Sequence, residues 1–147
     1  MPGYGVPEEL DGALPWSWAE ERLTACRNYF VATTRPDGRP HIMPVWGLWH
    51  MDLFCFSTSI KSIKSRNLLE NPSCAVTVDD GHNSVIVEGV ARVTELDEVP
   101  GFVEAYNEKY GGDYSSMVGP IWTMKPTVAF AFNEDDTFST SATRWEF

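Results

Sequence analysis

Residues 29–46 read YFVATTRPDGRPHIMPVW, and this stretch decides the fold class. The run Tyr29–Thr34 is rich in aromatic and β-branched residues, which is typical of a strand. The next five residues, Arg35–Arg39, have Asp-Gly at their centre, the usual sequence of a tight hairpin turn. We therefore expect a hairpin whose second strand is His41–Trp49. Because Pro44 cannot donate a backbone hydrogen bond, that strand is expected at a sheet edge or with a bulge.

The rest of the chain continues in short strands joined by turns, with helical segments between them. One helix is expected to open on a capping box from Ser17 to Glu20, one to follow Ile60, and one to be capped by Asp97. Further strands are expected at 53–58, 73–78, 84–94 (with a bend at Gly89) and 126–132, with a last one within 137–147. Six or seven antiparallel strands with two or three short helices predict a mainly β barrel or sandwich.

Length and composition bound the class of protein. The chain has 147 residues, 43% of them hydrophobic, which fits one domain with a real core. We expect a flexible N-terminal arm over residues 1–14 and a single domain over residues 15–147. The net charge of −10 argues against nucleic-acid binding and against anionic membrane surfaces, because both require clustered Lys and Arg. No stretch approaches the roughly 20 apolar residues of a membrane span.

Cysteine and histidine usage favours a reducing compartment and no metal site. Cys26, Cys55 and Cys74 are widely spaced beside apolar residues, as expected for free thiols. The first residues lack the basic region and apolar run of a signal peptide, so the cytoplasm is the expected location. The three histidines are scattered, without the convergent ligands that zinc needs, and no metal is expected.

One basic island interrupts this acidic chain, in a window from residue 53 to residue 69 that has no Asp or Glu. Within it, Ser57–Asn67 runs from a predicted strand end into a predicted helix start, where backbone N–H groups without partners favour anions. Lys61 and Lys64, three residues apart, are expected to share a helix face. Residue pattern alone leaves two interpretations: a phosphate site, or a capped helix with a solvated basic face.

An ordered set of short motifs is similar to the pyridoxamine 5′-phosphate oxidase-like superfamily, also known as flavin/deazaflavin oxidoreductases. The motifs, in chain order, are VATT (31–34), DGRP (37–40), PVW (44–46), FCFST (54–58), KSRNL (64–68), NP (71–72) and VEGVARV (87–93). Together they cover about residues 15–132. The resemblance implies a split β-barrel that forms a homodimer, with a cofactor in each of two interface clefts.

Site residues follow from the positions that match these motifs. The candidate phosphate-binding residues are Ser57, Thr58, Ser62, Lys64 and Asn67. The residues implied to run along the isoalloxazine ring, with their backbone against it, are Met43, Pro44, Val45 and Trp46. Within the first group, the resemblance implies that Ser62 and Lys64 clasp the phosphate and that Thr58 supplies a hydroxyl from the end of the preceding strand.

Two positions depart from the oxidase members of the superfamily. Those members carry Arg where this chain has Ile63 and again where it has Met43, so a vitamin-B6 oxidase is not expected. The PVW motif, the KSRNL helix and the C-terminal TRWEF are more similar to the actinobacterial deazaflavin branch, which implies coenzyme F-420 or, in some members, FMN. In that branch Arg144 and Trp145 are candidates for the cofactor cleft; the alternative is an ordinary strand end.

Three functional hypotheses follow. The first is an oxidoreductase that uses bound F-420 to transfer hydride to an unsaturated small molecule. The second is an FMN-dependent oxidase or reductase, and the third is a non-enzymatic flavin or haem carrier or sensor. No catalytic side chain is evident from the sequence; Tyr110, Tyr114 and Arg144 are candidate proton donors or orienting groups.

Overall fold

The computed structural model describes residues 14–116, 120–134 and 141–147. These residues form one antiparallel sheet of eight strands with three α-helices around it. The strands are β1 (Tyr29–Thr34), β2 (Pro40–Val45), β3 (Gly47–His50), β4 (Leu53–Ser57), β5 (Ser73–Asp79), β6 (Asn83–Thr94), β7 (Ile121–Asn133) and β8 (Thr143–Glu146). The helices are α1 (Trp16–Ala25), α2 (Ile63–Glu70) and α3 (Phe102–Tyr110).

The strand order brings the two ends of the sheet together. It runs β2-β1-β5-β6-β7-β4-β3, and β8 pairs with β7. β2 and β3 therefore lie at opposite ends of the sheet, yet only Trp46 separates them along the chain. The sheet must curl until its ends approach each other, as in a barrel. The predicted mainly β split barrel is confirmed, with eight strands in place of six or seven.

The first strand of the hairpin matches its prediction, and the second does not. The turn is closed by the N–H of Gly38, which donates to the carbonyl of Arg35 at 2.8 Å, and Gly38 takes the left-handed φ of 82° that favours glycine. The single strand predicted at His41–Trp49 is two strands, because the chain passes from one end of the sheet to the other at Trp46. Pro44 lies in an edge strand, as its missing N–H led us to expect.

Two helix starts differ from the predictions. α1 begins at Trp16 after the N-cap residue Pro15, and no side chain caps the helix, so the predicted capping box at Ser17 is wrong. α3 begins after Gly101, and Asp97 lies inside a preceding 3-10 turn instead of capping the helix. Both errors arise because backbone geometry, not a side-chain oxygen, starts these helices.

The longest pairing in the sheet joins β6 and β7 and bends at Gly89, as predicted. The register shifts between Glu88 and Gly89, which is a β-bulge. A Cβ at position 89 would lie 2.2 Å from the carbonyl oxygen of Lys125, so the close backbone approach requires glycine. β7 begins at Ile121, five residues before the predicted strand start at Pro126.

Two groups of buried side chains fill the fold. The larger lines the inner face of the sheet and includes Tyr29, Phe54 and Trp122. The smaller lies between β3, β4 and α3 and includes Cys55 and Tyr106. Full burial of one large apolar side chain such as Phe54 contributes about 1.5–3 kcal/mol, so these groups dominate the stability of the barrel.

Leu14, the first described residue, lies beside the larger group and contacts the last strand, β8. Leu14 ends the predicted N-terminal arm, but its backbone N–H donates to Thr143 Oγ1 at 2.9 Å and its side chain packs on the core. Residues 1–13 of the arm, and residues 137–140 of the predicted last strand, lie outside the described residues. No helix in the described ranges has the length and apolar character needed to cross a membrane. All three cysteines are free thiols.

Candidate functional site

The link from β4 to α2 fixes a group of hydroxyls at a helix start. Ser62 is the N-cap of α2, and its Oγ accepts a hydrogen bond from the backbone N–H of Ser65 at 3.2 Å. Ser65 is buried, and its Oγ donates to the carbonyl of Ser59 at 2.9 Å. The capped helix is therefore real, and it holds the side chains around Ser62 in place.

Thr58, Ser62 and Lys64 form one hydrogen-bonded group, named here the hydroxyl–lysine cluster. Lys64 Nζ donates to Thr58 Oγ1 at 3.3 Å, and Thr58 Oγ1 donates to Ser62 Oγ at 3.4 Å. Both contacts are long for hydrogen bonds between such groups, so the donors are only weakly engaged. The fold thus brings together the three residues that the resemblance implies for a phosphate.

Among the residues that the structure describes, no carboxylate pairs with the positive charge of this cluster. Lys64 is half-buried, and burial lowers the pKa of its ammonium group. An ammonium has three donors and Lys64 uses one, so two remain for phosphate oxygens. Lys61 is exposed and precedes the helix, so the prediction that it shares a helix face with Lys64 is wrong.

Two other candidate phosphate ligands have partners within the protein. Ser57 Oγ donates to the carbonyl of Pro120 at 3.5 Å. Asn67 is buried, and its Nδ2 donates to Thr33 Oγ1 at 2.9 Å. Asn67 therefore fastens α2 to β1, which fixes the helix relative to the sheet edge.

The edge strand β2 carries the residues predicted to line a cofactor ring. Met43 and Pro44 are exposed, whereas Val45 belongs to the core and offers only its backbone to a ligand. Trp46 is 39% exposed and stacks on Tyr110 with ring centroids 4.7 Å apart. Since an edge strand leaves alternate backbone groups without strand partners, β2 offers both polar backbone atoms and apolar side chains to a flat ring.

Arg144 and Trp145 point to opposite faces of β8. Trp145 packs edge-to-face on Trp16 at 5.3 Å, against the core. Arg144 is exposed and forms an ion pair with Glu146. No hydrogen bond within the described ranges joins either residue to the hydroxyl–lysine cluster. Within one chain both residues behave as an ordinary strand end, and their place in a cofactor cleft stays a prediction that requires a second chain.

Comparison with known proteins identifies the family. A family model described as pyridoxamine 5′-phosphate oxidase matches residues 18–134. The chain belongs to this family. A search of curated proteins found no match.

Solved structures similar to this family member bind different cofactors. An F-420 reductase is 26% identical with a TM-score of 0.60, and the match covers 75% of this chain and 94% of the reductase. A pyridoxamine 5′-phosphate oxidase-related, FMN-binding protein from Nostoc punctiforme is 12% identical with a TM-score of 0.61, over 91% and 97% of the two chains. The haem storage protein HutZ from Vibrio cholerae is 15% identical with a TM-score of 0.61, over 76% and 87%. The last two likenesses show the shared fold alone.

Two family positions that carry arginine in the oxidase members are apolar and accessible here. Ile63 is the first residue of α2, between Ser62 and Lys64, and is 41% exposed. Met43 on β2 is 45% exposed. Lys64 is therefore the cation that follows Ser62 and Ile63 at the start of α2, and the exposed side chain of Met43 on the edge strand is apolar.

Tyr110, a candidate proton donor, is committed to the backbone. Its hydroxyl accepts the N–H of Gly47 at 2.9 Å and lies 2.9 Å from the carbonyl oxygens of Gly47 and Arg27. The residue is buried, and burial raises the pKa of its hydroxyl. Tyr110 therefore holds the start of β3 in place. Sequence reasoning missed this role because the two partners are 63 residues apart.

The described residues contain no group of three or more His, Cys, Asp or Glu side chains arranged to hold a metal ion.

Proposed function

We propose that this chain binds a phosphate-bearing flavin-type cofactor through the hydroxyl–lysine cluster and works as an oxidoreductase. The observation that carries the proposal is the assembly of Thr58, Ser62 and Lys64 at the start of α2. A capped helix requires only Ser62, so capping explains neither the position of Thr58 nor the half-buried ammonium of Lys64. The partial positive charge of the helix start adds to the attraction for a phosphate.

The proposed cofactor is the deazaflavin coenzyme F-420, with FMN as the alternative. Similarity to an F-420 reductase supports the first choice. So does the apolar character of positions 43 and 63, which removes two cations that the FMN-using oxidase members of the family carry. FMN stays the alternative because the hydroxyl and ammonium donors of the cluster can bind the oxygen atoms of any phosphate group.

The protein's part in the reaction is to hold and orient the reactants. When bound, a reduced deazaflavin would supply the hydride for an unsaturated carbon of a small-molecule substrate, and a proton would complete the reduction. Met43 and the backbone of β2 would support the ring. With Tyr110 committed to the backbone, Tyr114 is the remaining tyrosine candidate for the proton donor, and its ring lies 6.0 Å from that of Trp46.

A homodimer is part of the proposal. One row of residues crosses six strands on the face of the sheet opposite the core: Pro44, Phe30, Thr77, Ile86, Phe130 and Arg144. The row is mostly apolar, and Phe30 within it is 44% exposed. A second copy of the chain that packs on this row would bury its apolar side chains and bring Arg144 into the contact between the two chains.

Cofactor titration tests the proposed function. Purified protein freed of ligands is titrated with F-420, FMN and haemin, and binding is followed by absorbance and fluorescence. We expect F-420 to bind most tightly and Lys64→Ala to weaken that binding about tenfold, or 1.4 kcal/mol. Lys61→Ala, at an exposed lysine three residues away, is the matched control and should bind normally. Tight haemin binding without binding of either flavin would contradict the proposal.

Light scattering after size exclusion tests the dimer. The wild-type chain should elute as a dimer, and Phe30→Glu should dissociate it because a carboxylate would be buried in the apolar row. Leu69→Glu, at an exposed position on α2 outside the row, is the control and should remain dimeric. A monomeric wild-type chain would refute this part of the proposal.

A further inference from the structure

A histidine that the site described above does not use is connected to α2 through buried side chains. His41 lies opposite Thr33 in the β1–β2 register, and its Nδ1 is 3.4 Å from Thr33 Oγ1. Thr33 is buried and accepts the amide hydrogen bond of the equally buried Asn67. Asn67 lies one turn after Lys64 on α2. The contacts from His41 through Thr33 to Asn67 therefore connect the histidine to the helix that carries Lys64.

The hydroxyl of Thr33 can serve both protonation states of His41. A hydroxyl has one donor and two acceptor sites, and Asn67 occupies one acceptor site. The Thr33 proton can therefore be donated to Nδ1 of a neutral imidazole. When the imidazole is charged, the second acceptor site can take the proton of Nδ1 instead. Thr33 thus holds the ring in one place without fixing its charge.

The surroundings of His41 are cationic. Burial lowers its pKa, and so do the charges of Arg35, in the turn between β1 and β2, and of Lys64 on α2. Arg35 is held over this end of β2 by a 2.8 Å hydrogen bond from its NH1 to the carbonyl of Pro40. No carboxylate within the described ranges acts on His41. Two cations, one from a turn and one from a helix, therefore act on the imidazole of His41.

We propose that His41 is a further anion-binding residue of the cofactor-phosphate site and that it takes up a proton when the phosphate binds. The inference rests on the proposed function, since it assigns a second cation to the same site. Met43 lies two residues further along the same face of β2, so one strand would contact the cofactor phosphate through His41 and the ring through Met43. A bound phosphate reverses the balance of charge around the imidazole, which favours its protonated form.

Histidine NMR with and without cofactor tests the inference. The chain has three histidines, and their imidazole signals are followed from pH 5 to 9, free and with saturating FMN or F-420. The His41→Asn variant assigns the signal. We expect the pKa of His41 to rise by about one unit or more with ligand, as for an opposite charge within a few ångströms. His50, which contacts the carbonyl of Pro100, and the exposed His82 should not respond.

Binding measured against pH gives the second readout. FMN affinity of the wild type should fall more steeply between pH 6 and 8 than that of His41→Asn, while His82→Asn should follow the wild type. Ionisation of the FMN phosphate contributes equally to all three proteins, so the difference isolates His41. Riboflavin, which lacks the phosphate, should show no such difference.

The outcomes separate the two proposals. If Lys64→Ala weakens binding but the pKa of His41 is the same with and without ligand, the role of His41 is refuted and the phosphate site stands. If neither FMN nor F-420 binds in a manner that depends on Lys64, both proposals are refuted. A rise in the pKa of His41 with FMN, absent with riboflavin, supports the inference.

Discussion

Two lysines on two different helices differ in how many hydrogen bonds their ammonium groups make to the protein. Lys109 of α3 donates to the carbonyl of Thr24 at 2.9 Å and to the hydroxyl of Tyr29 at 2.7 Å, and it lies 4.8 Å from the ring centre of Tyr29. Among the described residues, Lys64 of α2 has one long hydrogen bond, to Thr58. In that part of the chain the ammonium of Lys109 is therefore satisfied, whereas two donors of Lys64 have no protein partner. This difference supports the proposed ligand-binding role of Lys64, because a partly buried ammonium with few protein partners can donate to a ligand.

The hydroxyl groups beside these two lysines differ in the same way, in how firmly the protein bonds them. Tyr110 next to Lys109 has all its hydrogen bonds with backbone atoms of Gly47 and Arg27. Ser62 beside Lys64 caps a helix and also belongs to the loosely bonded cluster. We therefore expect substitutions around α3 to change stability and substitutions around the start of α2 to change ligand affinity.

The largest expected effect is on the α3 side. Tyr110→Phe removes the hydroxyl that pairs with Gly47 and leaves buried backbone groups unsatisfied, which should lower the free energy of unfolding by about 1–3 kcal/mol. Urea unfolding measures this change. Tyr106→Phe is the control, because no hydrogen bond of its hydroxyl is found in the described part of the chain. FMN or F-420 affinity should be unchanged in both variants. A loss of affinity in folded Tyr110→Phe would contradict the expectation that substitutions around α3 change stability alone.

The next effect is on the α2 side. Lys64→Ala should weaken cofactor binding about tenfold while the free energy of unfolding stays within about 0.5 kcal/mol of wild type. Lys109→Met should do the reverse, with reduced stability and unchanged affinity. Isothermal titration and urea unfolding on both variants give the full comparison. Equal losses of stability in the two variants would show that the lysines do not differ in role.

Ser62 belongs to both classes and can sharpen the comparison. Ser62→Ala removes a helix cap, at about 1 kcal/mol of stability, and also one ligand of the phosphate. Ser62→Asp keeps a capping oxygen but places a negative charge against the phosphate, so it should restore stability and still weaken binding. If Ser62→Asp binds cofactor as well as wild type, the serine acts only as a cap.

A further effect is a dependence of stability on pH. Burial lowers the pKa of Lys109 to about 8, below its ordinary value of 10.5. Between these two values the unfolded chain binds more protons than the native chain, so this residue makes stability rise with pH. The stability of wild type relative to Lys109→Met should therefore increase between about pH 8 and 10.5. A flat difference in urea unfolding across that window would contradict the assignment of Lys109 as a desolvated cation.

Local sequence determined much of the fold. β1 and its turn at Arg35–Arg39 were predicted correctly because alternation and turn residues act over a few positions. The break at Trp46 could not be predicted, because it depends on which strands end the sheet. The contact between Tyr110 and Gly47 joins distant parts of the chain and has no local pattern.

In the candidate site, too, residues close together in the sequence could be predicted, whereas a residue with distant partners could not. Thr58, Ser62 and Lys64 lie within seven residues of sequence, so motif matching brought them together before the structure did. The scattered positions of the three histidines bear only on a metal site, so they predict no role for His41. The register of the hairpin around Asp37 and Gly38 already places His41 opposite Thr33, which is the pattern that could have indicated it.

The most direct test of the central claim compares FMN with riboflavin, which differ only in the phosphate. Affinities of both ligands are measured for wild type and for Lys64→Ala. If the cluster binds phosphate, wild type should prefer FMN about tenfold or more, and Lys64→Ala should lose most of that preference while its riboflavin affinity stays the same. An equal loss of affinity for both ligands, or an FMN preference that survives in Lys64→Ala, would contradict the assignment of Thr58, Ser62 and Lys64 as the phosphate site.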